Sequence, residues 1–153
     1  MKFIADAMLG RLATWLRLLG HDVLYDHATD DRGIVRISRE QDRVIITRDT
    51  GLTQNRAVRD CIFITSDHIR DQLAEMKEYL GSSDKAPHGR CARCNGELEN
   101  VPGNDDIRER VPDYVFHSFH CFLQCRICRN VYWEGSHYRQ IRETLRQVIQ
   151  LEQ

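Results

Sequence analysis

The sequence predicts an α/β fold: a parallel sheet flanked by helices, then a small cysteine-bearing unit and a C-terminal helix. Three observations carry this prediction. Short apolar runs alternate with helix-period segments through residue 80, a polar stretch rich in Gly, Ser and Pro follows, and two CxxC pairs occupy much of the remainder.

Residues 2–5 (Lys-Phe-Ile-Ala) read as a first strand ended by Asp6. Met8, Leu9, Leu12, Ala13, Leu16 and Leu19 then recur at helical spacing until Gly20, a C-terminal stop. Asp22-Val23-Leu24-Tyr25 is the second strand. Asp30-Asp31 open a helix with Ile34, Val35, Ile37 and Ser38 along one side. The β-branched run Val44-Ile45-Ile46-Thr47 is the clearest strand and ends at Arg48-Asp49. A short helical stretch over residues 52–58 leads to a fourth run, Cys61-Ile62-Phe63-Ile64-Thr65. Ser66-Asp67 then introduce a helix whose Ile69, Leu73, Met76 and Leu80 share one face. Strands that alternate with helices pair in parallel through right-handed crossovers, and their apolar character suits burial on both faces. The expected division is a first domain over residues 1–80, a linker over 81–87 and a second unit over 88–153. In the second unit, Ile141, Leu145, Val148 and Ile149 mark the closing helix.

Composition excludes several classes. With 41% hydrophobic and 29% charged residues the chain can bury a core, so disorder over most of its length is not expected. No apolar run is long enough to span a bilayer, and Asp6 interrupts the N-terminus before a signal-peptide core could form, so the expected location is cytoplasmic with no membrane partner. A net charge of −1 gives no global pull toward nucleic acid, so such a partner must be held locally. Arginine supplies 19 of the 22 basic residues, and its planar fork suits phosphate.

Cys91-Ala-Arg-Cys94 and Cys125-Arg-Ile-Cys128 each place two thiolates on a tight turn. Two such turns facing each other supply four soft ligands for a tetrahedral, structural Zn²⁺, a pattern that resembles a zinc ribbon. Four thiolates saturate the ion and leave no place for an activated water. His88, His117, His120 and Cys121 are near enough in sequence to rival a cysteine. Asn95-Gly96 and Asn130 follow the pairs and tolerate a left-handed backbone. The 30 residues between Cys94 and Cys125 exceed the commonest spacing, and residues 100–113 read as an inserted loop.

Asp6, Asp31, Asp49 and Asp67 each fall just beyond a strand or at the start of the next helix. In an open parallel sheet those positions line one edge, where ligands bind. Crowded carboxylates repel unless a cation compensates, and Mg²⁺ or Mn²⁺ there would support in-line attack on a phosphodiester. Each Asp is also a favoured helix N-cap, and Asp30 rivals Asp31 directly.

These features together resemble the Mut-seven C-terminal RNase domain family. The resemblance runs from Phe3 to Asp22 (FIADAMLGRLATWLRLLGHD), through Thr47-Arg48-Asp49, to both CxxC pairs and Val131-Tyr132-Trp133-Glu134-Gly135-Ser136-His137. It implies a PIN-like nuclease domain fused to a zinc ribbon, in which acidic residues matching Asp6, Asp31 and Asp49, and less closely Asp67, bind a divalent metal for RNA cleavage. Glu40 and Asp67 are the nearby acids that could complete the set, and Arg32-Gly33-Ile34 departs from the expected acidic or helix-favouring stretch.

Arg48 is placed to meet a phosphate. Arg17 is a second candidate, balanced against an ion pair. Trp133 and His137, with Tyr132 among Arg126, Arg129 and Arg139, suit base stacking and phosphate contact, or else close the ribbon's small core. The leading expectation is a metal-dependent ribonuclease; its rival is an inactive RNA-binding or scaffold protein of the same fold. A protein inhibitor and self-association both stay open. A phosphorylated receiver needs a late-strand lysine, yet none lies between Lys2 and Lys77, and Asp6-Ala7-Met8-Leu9-Gly10 offers no dinucleotide-binding glycine turn.

Overall fold

In a computed structural model, which describes residues 1–81 and 89–150 (side chains through 148), the chain builds two sheets. The first comprises β1 (Lys2–Ala5), β2 (Asp22–Tyr25), β3 (Val44–Thr47) and β4 (Cys61–Phe63), all parallel, in the order β2-β1-β3-β4. Register places Phe3 beside Val23 and Val44, and Ile45 beside Cys61. The chain turns one way from β1 and the other way from β3, so the two central strands flank the point where strand order reverses.

Side-chain period then sorts the helices onto two faces. Phe3, Ala5, Val23 and Ile46 point to a core shared with α1 (Gly10–Leu18), α4 (Ile69–Glu75) and α5 (Lys77–Leu80). Ile4 and Ile45 point the other way, to Ile34 and Val35 of α2 (Asp31–Gln41) and Leu52 of α3 (Thr50–Gln54). The continuous helix expected from Ile69 to Leu80 breaks at Met76, yet Leu73, Met76 and Leu80 still share one buried face.

Gly20 adopts φ +90° and ends α1 as expected. The helix at residues 31–41 forms with Gly33 in its first turn: the Gly33 N–H donates to the Asp30 carboxylate at 2.8 Å and caps it, and a Cβ there would stand 2.8 Å from the Thr29 side-chain methyl, which would have to move.

The second sheet is antiparallel, in the order β5 (Leu98–Pro102), β6 (Cys121–Cys125), β7 (Val131–Tyr132). Residues 100–113, expected as a loop, instead finish β5, form α6 (Asp105–Arg110) and enter α7 (Asp113–Ser118). Asn104 caps α6 by accepting the Ile107 N–H at 3.0 Å, and Ile107, Val111 and Val115 pack on Phe122. Apolar residues four apart make this a small helical core, which the polar Gly103-Asn104-Asp105-Asp106 run obscured.

The closing helix, α8 (Ser136–Gln150), turns back to the first unit. Ile141, Leu145 and Val148 join the core formed by Leu9, Leu12, Leu16 and Leu73. Ile149 lies outside the described side chains, and the expected linker lies outside the described residues except for Gly81.

Candidate active site and metal centre

Asp6 ends β1 as a buried carboxylate, 5% exposed. Its Oδ1 accepts the Met8 N–H at 2.9 Å, capping a single 3-10 turn over Ala7–Leu9. Its Oδ2 accepts the Arg48 N–H at 2.8 Å and the Thr47 hydroxyl. The Thr47 oxygen in turn accepts the Asp49 N–H at 2.8 Å. The ends of β1 and β3 are thereby tied through one carboxylate, which sets Asp49 at the strand-order reversal. Asp49 itself caps α3 by accepting the Gly51 N–H at 2.7 Å and stays exposed.

Asp31 comes from the neighbouring side, at the first residue of α2, where Asp30 takes the capping role. Capping therefore does not account for Asp31. Desolvation, and then the charges of Asp49, Asp6 and Asp30, push its carboxyl above the usual range. Among the described residues only the cysteines bring three or more ligand atoms to metal-binding separation; the acids interact at longer range.

Asp67 is exposed on the loop after β4 and ion-pairs with Arg48, whose Nη2 also donates to the Thr65 carbonyl at 3.3 Å. Glu40 does not join the acids. It sits nine residues along α2 from Asp31, about 13 Å at 1.5 Å per residue, and pairs with Arg36 at 3.5 Å.

Arg17 is also not a phosphate ligand. Only 5% exposed, it donates from Nε to the Val23 carbonyl at 2.9 Å and from Nη1 to the carbonyls of Ala92 and Arg93 at 3.0 and 3.3 Å. Its side chain points inward and joins α1 and β2 to the first cysteine turn.

The four cysteine sulfurs, from Cys91, Cys94, Cys125 and Cys128, lie within 4.8 Å of one another and form a site able to hold a metal such as zinc. Burial pushes the Cys125 thiol up, but the backbone N–H groups of Cys128 and Ile127, with the thiols of Cys94 and Cys128, together outweigh it and bring the thiol down to about 7. Asn95 takes φ +68° after the first pair; after the second, Arg129 rather than Asn130 takes it, at +64°. A Cβ on Gly96 would stand 2.7 Å from the Cys125 sulfur, so glycine keeps that approach open. Neither His117, His120 nor Cys121 belongs to the cluster, His117 standing 3.7 Å from Asp113; His88 lies outside the described residues.

With this geometry, a family comparison is decisive: the model of the Mut7-C RNAse domain matches residues 1–145. The chain belongs to the Mut7-C RNAse domain family. No curated protein and no solved structure matches it. Membership gives the chain a nuclease-like, RNA-related character, and no helix among the described residues is long and apolar enough to cross a membrane.

Trp133 is half-buried against the Phe122 core, whereas His137 is exposed on the first turn of α8. Three supporting side-chain contacts carry no signal in the sequence. Tyr25 donates its hydroxyl to the Ala7 carbonyl at 3.1 Å, behind the Asp6 turn, and Gly10 leaves room for that ring. Glu75 accepts the N–H groups of Thr65 and Ser66 at 2.8 and 2.9 Å, fixing the loop that carries Asp67. Asn95 reaches across to β2. Each is a long-range contact with no local sequence signal.

Proposed function

We propose that this Mut7-C chain is a PIN-like ribonuclease that hydrolyses RNA phosphodiesters, with Asp6, Asp31 and Asp49 holding Mg²⁺ or Mn²⁺. The observation that carries the reading is the Asp6 carboxylate, which links the ends of β1 and β3 and sets Asp49 at the reversal of strand order. An all-oxygen donor set suits a hard cation; desolvation first and then the charges of Asp49, Asp6 and Asp30 raise Asp31, and a cation would relieve that repulsive part. The metal would supply charge stabilisation at the phosphoryl group.

The chain's own residues supply the frame. Thr47 and the Arg48 N–H orient Asp6, the Asp49 N–H is held by Thr47, and Asp67 with the Thr65 carbonyl aims Arg48 along the same edge, where its guanidinium can face a phosphate. Zinc in the four-cysteine cluster would be structural, because four thiolates would complete its coordination.

The test is cleavage of a single-stranded RNA pool by the zinc-loaded chain with added Mn²⁺ or Mg²⁺, alongside calorimetric titration of those ions. Asp49→Asn, at an exposed position, should lower cleavage about a hundredfold or more, the scale of losing one electrostatic partner of the transition state, and weaken ion binding. Cleavage unchanged in Asp49→Asn would sink the assignment. RNA binding without divalent binding or cleavage would make the chain an RNA-binding scaffold.

A further inference from the structure

A concavity lies away from the acids. About 390 Å³ in volume, it opens between α1 (Thr14, Leu18), the first cysteine turn (Ala92), Tyr114 of α7, Trp133 and the start of α8. That volume falls within the range of small-molecule sites.

Its chemistry is selective. Tyr114, Tyr132, Trp133 and Tyr138 contribute aromatic surface from three segments, and none of the lining residues carries a fixed charge. Tyr114 is 71% exposed despite its size, so packing does not explain its position. The Trp133 indole lies across Gly135, where a Cβ would stand 3.0 Å from Nε1, and that N–H donates to no described residue. Ser136 and His137, both exposed, add hydroxyl and imidazole groups to the same wall. Flat apolar faces with a few uncommitted donors and acceptors, and no fixed charge, match a neutral planar heterocycle. Arg93, next in sequence to the lining Ala92, is exposed and makes no ion pair among the described residues, so a cation is at hand near the rim for a flanking phosphate.

We propose that this cleft receives a nucleobase of single-stranded RNA, stacked against Tyr114 and Trp133 and hydrogen-bonded at its edge by Trp133, Ser136 and His137. The proposal rests on RNA being the substrate and adds to it a base-holding site remote from the cleaving edge. Stacking selects single strands, because a base inside a duplex offers no free face.

The experiment measures binding of a fluorescein-labelled 12-nucleotide single-stranded RNA to the zinc-loaded full chain by anisotropy, without added Mg²⁺ or Mn²⁺. Tyr114→Ala, at an exposed position, should weaken binding about tenfold or more, the lower part of the range for one stacked base. Trp133→Phe, which keeps most of the packing, should weaken it by a smaller factor, and a base-paired version of the RNA should compete poorly. Unchanged affinity in both variants, with melting temperatures equal to the parent, would overturn the cleft, as would failure of the chain to bind RNA. The two readings separate cleanly: cleavage with unaltered KM in Tyr114→Ala removes the cleft and leaves the nuclease. RNA binding that depends on Tyr114 in a chain that never cleaves keeps the cleft and removes the nuclease.

Discussion

The parallel sheet and the cysteine ribbon solve the same problem by different means. The sheet is covered on both faces: α1, α4, α5 and α8 bury Phe3, Val23 and Ile46, while α2 and α3 bury Ile4 and Ile45. The ribbon's sheet has three strands and a four-residue buried cluster around Phe122, and its cysteine turns depend on four sulfurs held within 4.8 Å. Burial specifies the first region; ligand geometry specifies the second. They meet in a polar seam. Asn95 accepts the N–H of Val23 at 3.0 Å and donates to Asp22 at 2.8 Å, Arg43 meets Asp22 at 2.8 Å, and Arg17 holds the carbonyls of Ala92 and Arg93. The cysteine turn thus covers β2, the edge strand of the parallel sheet, and satisfies backbone groups an edge leaves open.

Removing metal from the ribbon should produce the largest effect that breaks this comparison. Structural zinc contributes about 10–16 kcal/mol of apparent binding energy in small domains. Chelation should therefore abolish hydrogen-exchange protection in β5, β6 and β7 and lower it in β2, while β1 and β3 stay protected. Equal loss in all strands would show that the two regions fold as one.

The seam itself should be next. Asp22→Ala strands the nearly buried Arg43 guanidinium and should cost about 3–5 kcal/mol in denaturant unfolding. Its carboxyl is pushed up by burial, but hydrogen bonds from Arg43 and Asn95 and the charges of Arg43 and Arg90 hold it below the usual range. The sign follows: Asp22 stabilises the fold at neutral pH, and that contribution fades as pH falls through its lowered pKa. A stability profile of Asp22→Ala should converge on the parent in that acid range.

Leu145→Ala sharpens the assignment of α8. Leu145 is buried among the residues of the first core, so its truncation should cost about 2–5 kcal/mol, with the same penalty before and after chelation. A penalty that vanished without metal would return α8 to the ribbon.

The smallest effect concerns the acids. Desolvation and the charges of Asp49, Asp6 and Asp30 raise Asp31, so the folded state binds its proton more tightly than the unfolded chain does. Stability therefore declines as pH rises from the ordinary carboxyl pKa through the raised one. Above that window Asp31→Asn should leave the metal-free protein slightly more stable, by up to about 0.5 kcal/mol in thermal melts, the range of surface substitutions. Added Mn²⁺ should reverse the order.

Much of this was legible from local pattern. Residues 2–5, 22–25 and 44–47 appear as strands where apolar and β-branched runs placed them, and each CxxC pair sits on its own tight turn, the two turns meeting through the pairing of β5 with β6. The candidate acids were legible as residues following strands. Other features were hidden. The helices α6 and α7 lay under a polar, glycine-bearing stretch whose apolar residues make sense only against Phe122. Asp30 and Asp31 are indistinguishable as caps until backbone φ and ψ choose Asp30. Arg17 looks like any helix arginine until the cysteine turn arrives to accept its hydrogen bonds.

The sequence by itself determined the alternation of strand and helix and the pairing of cysteines, because periodicity and tight turns are properties of a few consecutive residues. Tertiary structure decided which side chain each carboxylate holds, that α8 completes the first core, and that Tyr114 and Trp133 border one cleft. Those outcomes depend on residues from about 20 to more than 70 apart meeting across packed elements, as Asp6 meets Thr47 and Val23 meets Asn95, and no local pattern encodes such a meeting.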